Sequence, residues 1–500
     1  MVLVAWSILF KPAPVPQKAV PVSQPGHQER PDNDEGITPP SPQTPDEFPQ
    51  IEVTVVSDII VETALYKAVF STRGAIIKSW ELKEYKSGDK DMVMLLEEPG
   101  KVPSLGLIFK GDNKDFPQNV IYKSNRDNLV LGDKGNNRGE LVFTYAGEGI
   151  TIKKRLTFYN DLYKIDLSIE TLNTPPFMLS LGTDFGVFDK KQREHKGPVI
   201  LIDSDRDEFD EKDMDTKYFT GNIHWIAQED KYFVAAIIPV TGFEGASVWN
   251  EGSAAEIAFN LEGQKNDFVF YAGPKDYDRL KKLNLGLEHI IDFGWFSIVA
   301  MPLFWVLKYF YKFLGNYGWA IIILTVIIRI PFIPILNKSQ KSMKKMSTLQ
   351  PMMTEIREKH KKDPQKMQKE ITELYKKHKV NPIGGCLPMF LQIPVFIALY
   401  NVLLRAIELR GAPFILWIND LSVKDPYYIF PVVMGLSMLI QQKMTPSTMD
   451  PKQAKIMMFM PIVFTFMFLS FPAGLVLYWL VNNLLAIAQQ YHVNKKAPQE

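Results

Sequence analysis

The twenty residues from Tyr317 to Leu336, YGWAIIILTVIIRIPFIPIL, carry a single charge, Arg329. A helix rises ~1.5 Å per residue, so this run matches the ~30 Å hydrocarbon core of a bilayer. The rest of the chain must be arranged around a membrane. The arginine is the difficulty, since a guanidinium near the centre of such a helix costs ~2.5–3.5 kcal/mol on insertion scales. It lies eight residues before Asn337, ~12 Å by helical rise, so its side chain only partly reaches the nearer surface. Pro331 and Pro334 follow it and loosen the hydrogen-bond ladder where water or polar neighbours can enter.

Four more apolar runs follow: Ile383 to Leu404, Tyr427 to Gln441, Ile456 to Leu469 and Gly474 to Ile487. With Tyr317 to Leu336 as TM2, they are TM3 to TM6, and the segments containing them run 316–337, 382–406, 426–443, 455–471 and 473–491. The last three are short, which implies a locally thinned bilayer or helix ends reaching into the interface. Phe471 to Gly474, FPAG, reads as a tight turn joining TM5 to TM6. Before TM2, residues 288–315 include GWFSIVAMPLFWVLKYFYKFLG, whose aromatic residues, Pro302, Lys308 and Lys312 suit an amphipathic helix lying at the membrane surface.

The first half is built differently. Residues 1–10, MVLVAWSILF, are too short to span and read as the outer part of a first transmembrane helix whose beginning is absent from this sequence. Residues 11–50 are a Pro-rich, aromatic-poor tether expected to be disordered. From 51 to 287, short alternating runs such as IEVTVV, GAIIKSWEL, ITIKKRLTFY and YFVAAIIPV, punctuated by Gly, Asn and Asp, predict a large antiparallel β-sandwich. Trp80, His195, His224, Trp225 and Trp249 lie within it, and no His–acid or His–Cys spacing organises them into a site.

A net charge of +1 excludes a globally polybasic nucleic-acid binder. The local excess is between Lys338 and Lys379, where thirteen Lys/Arg face five Asp/Glu. With Lys443, Lys452, Lys455, Lys495 and Lys496 on the same side, the positive-inside rule puts this segment and the C-terminus in the cytoplasm. The β-domain then lies outside. The single cysteine, Cys386, excludes an intramolecular disulfide and a cysteine metal cluster; no cofactor or metal is expected.

TM2 to TM6 contain no Asp and no Glu. Arg329 therefore either anchors a helix end or stands in a wet cavity, lined by Thr325, Gln392, Gln441, Gln442, Thr465, Asn482, Asn483 and Gln489 and open to the cytoplasm. Residues 338–381 predict a helical hairpin with its turn at KKDPQ. Met343, Met346, Met353 and Met367 recur on it at helical spacing, either as packing or as a flexible thioether surface that captures apolar client segments.

Several long motifs resemble the Oxa/Alb (YidC) membrane protein insertase superfamily: MSTLQPMM, VNPIGGCLPMFLQIPVFIALYNVL, ELRGAPFILWINDLSVKDPYYI and MPIVFTFMFLSFPAGLVLYWLVNNLLAIAQQ. The match covers about 290 to 492. VETALYKAVFSTRGAIIKSWELKEYK resembles the periplasmic domain of the Gram-negative form, which implies a sugar-mutarotase-like super-sandwich. The implied fold is a periplasmic all-β super-sandwich joined to an α-helical five-span transmembrane bundle with a cytoplasmic helical hairpin. The resemblance also implies that Arg329 is the groove arginine and that Thr325, Tyr478 and Trp479 touch the client, Trp479 standing where tyrosine is common.

The implied function is insertion, folding and assembly of inner-membrane proteins, alone or with the Sec translocon. Its partners would be nascent membrane proteins, the ribosome and membrane lipids, with no nucleic-acid binding of its own. No enzymatic step is required: there is no Walker glycine loop, and burial at ~25 cal/mol per Å² of client surface supplies the driving force. The rivals are a polytopic solute transporter, which predicts inverted repeats and intramembrane carboxylates, and a sugar-active envelope enzyme, which predicts paired carboxylates or a His–Glu site in the β-domain.

Overall fold

The computed structural model describes residues 55–496 except 88–90, 99–101, 112–113, 133–134, 184, 187–194, 211–214, 251–253, 262, 379, 381–386 and 446–450. The expected first helix at 1–10, the tether at 11–50 and Cys386 lie outside the described residues.

Alternation becomes strands where one face is covered. ITIKKRLTFY forms the strand Ile150–Tyr159, paired antiparallel along its length with Arg138–Gly147 and Lys164–Leu172. These lie in a nine-stranded antiparallel sheet that continues through Lys265–Pro274, Phe233–Thr241 and Ile223–Glu229. Two five-stranded sheets share its core. At the centre Trp80 stacks on Tyr66 with ring centroids 4.2 Å apart and meets Phe270 edge-on, the favoured aromatic geometries. Of IEVTVV only Val55 and Val56 lie among the described residues, both exposed, and the first strand among those residues is Asp58–Glu62. Gly197–Ile202 and Ala255–Leu261 escape the alternation reading because they are buried almost throughout, which erases the period of two.

One inward position in Ile150–Tyr159 holds a cation. Lys154 is fully buried, and its Nζ donates to the carbonyls of Leu105 at 2.7 Å, Ala75 at 3.1 Å and Gly74 at 3.3 Å. Burial pulls its ammonium down to about 7, whereas the three carbonyls favour the charged form.

The helical part begins with Tyr277–Lys282 (α1). It continues with Ser297–Leu314 (α2), Tyr317–Arg329 (α3), Ile333–Thr348 (α4), Gln350–Lys359 (α5) and Pro364–Lys377 (α6). It ends with Leu387–Arg405 (α7), Ile429–Met444 (α8), Pro451–Phe468 (α9) and Ala473–Lys496 (α10). Residues of α2, α3, α7, α8, α9 and α10 share a second core. Gly294–Leu314 and Tyr317–Thr348 are long and apolar enough to cross a membrane.

Two helices run beyond their apolar windows. α9 starts at Pro451, not near Ile456, and α10 continues past Ile487 to Lys496. The extension of α10 carries Gln489 and Gln490, both bonded to neighbouring segments, so hydropathy falls while helix packing persists. The basic segment is also more divided than a two-helix hairpin. α4 carries on from the α3 direction, and the tight turn is between α5 and α6, where the Asp363 carboxylate caps α6 by accepting from Lys366 N at 3.1 Å.

The short turn Ile407–Leu409 contributes to both cores, as does α1 through Leu280 and Tyr277. Ile407 belongs to the β-domain core and Leu409 to the helical core. Next to it, Arg410 donates to the Lys86 carbonyl at 3.0 Å and lies 4.9 Å over the Phe233 ring. Both ends of the α2 segment are tied to this region. Asn401 donates to Phe293 O at 2.8 Å, and Lys308 pairs with Asp278 at 2.6 Å and Glu408 at 3.2 Å.

Candidate functional site

Pro331 cannot continue the α3 ladder, and a 3₁₀ turn at Ile330–Phe332 separates α3 from α4. Arg329 is the last residue of α3, so its side chain leaves the helix at a break, and it is half-buried. Among the described residues its acceptors come from α10. One terminal nitrogen donates to Asn482 Oδ1 at 2.8 Å and Asn482 O at 3.2 Å, and the other to Gln489 Oε1 at 3.1 Å. Asn482 and Gln489 are seven apart, two helical turns, and therefore share a face.

Gln489 is held in turn. Its Nε2 donates to Asn337 Oδ1 at 2.8 Å and to Ile333 O at 3.4 Å. The chain Asn337–Gln489–Arg329–Asn482 thus ties α4 and α3 to α10 with neutral acceptors at each bond. The guanidinium keeps one buried donor, Nε, that has no acceptor among the described residues.

One turn before Asn482, Tyr478 is 1% exposed and its hydroxyl accepts from Gln392 Nε2 on α7 at 3.0 Å. Trp479 is partly buried between Phe396, centroid 4.6 Å away, and Phe468, 5.0 Å away. The aromatic pair therefore joins α10 to α7 and α9.

The remaining polar residues go elsewhere. Thr325 is buried and donates to Ile321 O within α3 at 2.7 Å. Asn483 faces α8, where its Nδ2 donates to Ser437 Oγ at 3.3 Å. Thr465 donates to Pro461 O at 2.7 Å and packs on Gly435: a Cβ at 435 would lie 1.9 Å from its Oγ1. Gln441 and Gln442 are half-buried near the end of α8, where their main-chain carbonyls accept from Thr445 N. Asn337 enters the site unannounced, and the signal for it is its eight-residue offset from Arg329 on the opposite side of the proline break.

On the basic segment, Met346 is buried with Leu349 and Val380, and Met353 is buried under the Tyr375 hydroxyl, 3.4 Å from its sulfur. Met343 and Met367 are half-exposed, and Met352, off the expected stripe, is 47% exposed. In the β-domain, Trp80 and Trp225 are core residues and His224 is exposed. His195 lies 3.5 Å from Asp210 and 3.8 Å from Glu208, a pairing made by chain folding that sequence spacing does not reveal.

Comparison with known proteins places this chain in a family. The family model described as 60Kd inner membrane protein matches residues 309–500, and the one described as YidC periplasmic domain matches residues 58–306. The membrane protein insertase YidC of Geotalea uraniireducens is 45% identical over 471 residues, covering 89% of this chain and 88% of that one. That of Syntrophus aciditrophicus is 42% identical over 483 residues, covering 91% and 88%. A crystal structure of an active YidC insertase with its first transmembrane domain resolved aligns over 88% of this chain and 93% of that one, at 20% identity and a TM-score of 0.41. These relatives are named as membrane protein insertases. With the same two regions in the same order and over 40% identity along almost the whole length, the chain belongs to the YidC family of membrane protein insertases.

Proposed function

We propose that this insertase moves clients through a polar groove built around Arg329. The observation that carries this reading is a guanidinium held by amides in a set of spans that contains no carboxylate. An acidic residue in the outer tail of a client is then its strongest available partner. That attraction lowers the cost of bringing the tail partway across, while the client's apolar helix slides past Tyr478 and Trp479 into lipid.

The depth of the charge fits this role. Asn316, at the head of α3, is bonded to the Pro413 and Phe414 carbonyls in the loop after α7. Arg329 is thirteen residues further on, ~20 Å by helical rise, about two-thirds of the way through the hydrocarbon. The charge bias of the loops supports a cytoplasmic location for α4–α6 and the C-terminus, and a periplasmic one for the β-domain. Lys308 tied to Asp278 and Glu408 supports an interfacial α2. The basic hairpin, with Met343, Met352 and Met367 at its surface, suits client capture from the ribosome. The Sec translocon is a partner for clients whose outer parts are too large for the groove.

The test is protease protection of a single-span client with an acidic outer tail, translated onto proteoliposomes carrying this protein or its Arg329→Leu variant. Protection with the parent and its loss with the variant is the expected result. Equal protection with both would leave an insertase in which Arg329 is only a structural anchor.

A further inference from the structure

We infer that Gln489 is a specificity-determining residue of the groove: it holds Arg329 in place while leaving its charge unneutralised for the client. This rests on the groove reading above and adds the reason why an amide, not a carboxylate, stands there.

Gln489 meets Arg329 Nη2 at 3.1 Å through Oε1, and its Nε2 is fixed by Asn337 Oδ1 at 2.8 Å and Ile333 O at 3.4 Å. The donations to two acceptors on α4 orient the amide so that its oxygen faces the guanidinium. A glutamate is almost the same size and would reach the same nitrogen, but it would be a permanent counter-ion in a low-dielectric setting. The acceptors actually present are two amide side chains and a helix carbonyl, all neutral. They position the fork and satisfy part of it, and Nε still lacks an acceptor among the described residues. A carboxylate arriving on a client displaces a neutral acceptor, which is favourable. It would gain little by displacing another carboxylate. Asn337 is the positioning residue behind this, because it accepts from Gln489 Nε2 and acts on Arg329 through that amide.

The experiment compares two clients in proteoliposomes carrying the full chain. They are one single-span client with Asp and Glu in its outer tail, and the same client with those residues changed to Asn and Gln. Gln489→Glu should lower protection of the acidic-tailed client about tenfold, equivalent to ~1.4 kcal/mol, and leave the neutral-tailed client within about twofold of the parent. Gln489→Leu, which removes the hold on Arg329 without adding a counter-ion, should insert the acidic-tailed client at a level between the parent and Gln489→Glu. Thermal unfolding of each variant in detergent checks folding.

Equal insertion of both clients by Gln489→Glu and the parent would overturn the inference, as would loss of both clients together in a folded Gln489→Glu protein. Failure of the groove reading looks different: the folded Arg329→Leu variant would then insert the acidic-tailed client as the parent does.

Discussion

Lys154 offers the sharpest physical test of the β-domain. Its ammonium is buried among the Gly74, Ala75 and Leu105 carbonyls and burial pulls it down to about 7, against an ordinary 10.5. The folded state therefore binds fewer protons than the unfolded chain between those two values, and stability rises with pH across that window. In the other direction, it is lost as pH falls from about 10.5 towards 7 and levels off below. Burial acting alone would make the domain about 4 kcal/mol more stable at pH 10 than at pH 6. The three carbonyl contacts hold the ammonium form, so the expected rise between pH 7 and 9.5 is on the order of 1–2 kcal/mol. Above pH 10 the sign reverses, because burial pushes the hydroxyls of Tyr66, Tyr122 and Tyr163 far above their usual range. Urea midpoints of the detergent-solubilised protein, read from the near-ultraviolet dichroism of buried Trp80 and Trp225, measure this. Lys154→Met should flatten the slope. A parent midpoint that is constant or falls from pH 7 to 9.5, or a variant with the parent's slope, would refute the reasoning.

Other consequences follow from the helices. Gly435→Ala places a Cβ 1.9 Å from Thr465 Oγ1 and should cost about 1–3 kcal/mol of thermal stability; Thr465→Ala in the same chain should recover most of it, and an undiminished single variant would refute the close α8–α9 contact. Asp425 accepts from Phe430 N at 2.8 Å and from Tyr427 N and Trp417 Nε1 at 3.0 Å. Asp425→Ala should therefore destabilise the start of α8 by about 1–3 kcal/mol, with Asp425→Asn milder, as read by thermal unfolding and Trp417 fluorescence. Arg329→Lys keeps the charge and loses the fork, so it should insert an acidic-tailed client at an intermediate level, and insertion as poor as with Arg329→Leu would count against charge as the operative property. Deleting residues 350–377 should reduce crosslinking to ribosome-bound clients, and unchanged crosslinking would remove the capture role.

Much of the fold was legible because its signals are local. Alternation identified Ile150–Tyr159 and its neighbours, whereas the strands buried on both faces gave no period to read. The apolar runs overlap α3, α7, α8, α9 and α10, and α9 begins before its run and α10 continues past its own, since a hydropathy window stops at polar residues and a helix does not. The methionine spacing was legible, but which members face inward was not: Met346 and Met353 close the hairpin core, and Met352 off the stripe is exposed.

The sequence by itself determined that this chain is half water-facing sheet and half membrane helices, that one span carries a lone arginine beside two prolines, and that no intramembrane carboxylate can neutralise it. Period, length and charge settle those matters without reference to distant residues. Only the tertiary structure decided who holds the arginine. Asn482 and Gln489 are more than 150 positions away, whereas the equally polar Thr325, Thr465 and Asn483 are used by their own helix or by α8. Composition lists the groups that can accept a hydrogen bond. Which of them meet depends on the relative position and rotation of whole helices, which is set by packing such as that of Thr465 on Gly435 and of Trp479 between Phe396 and Phe468.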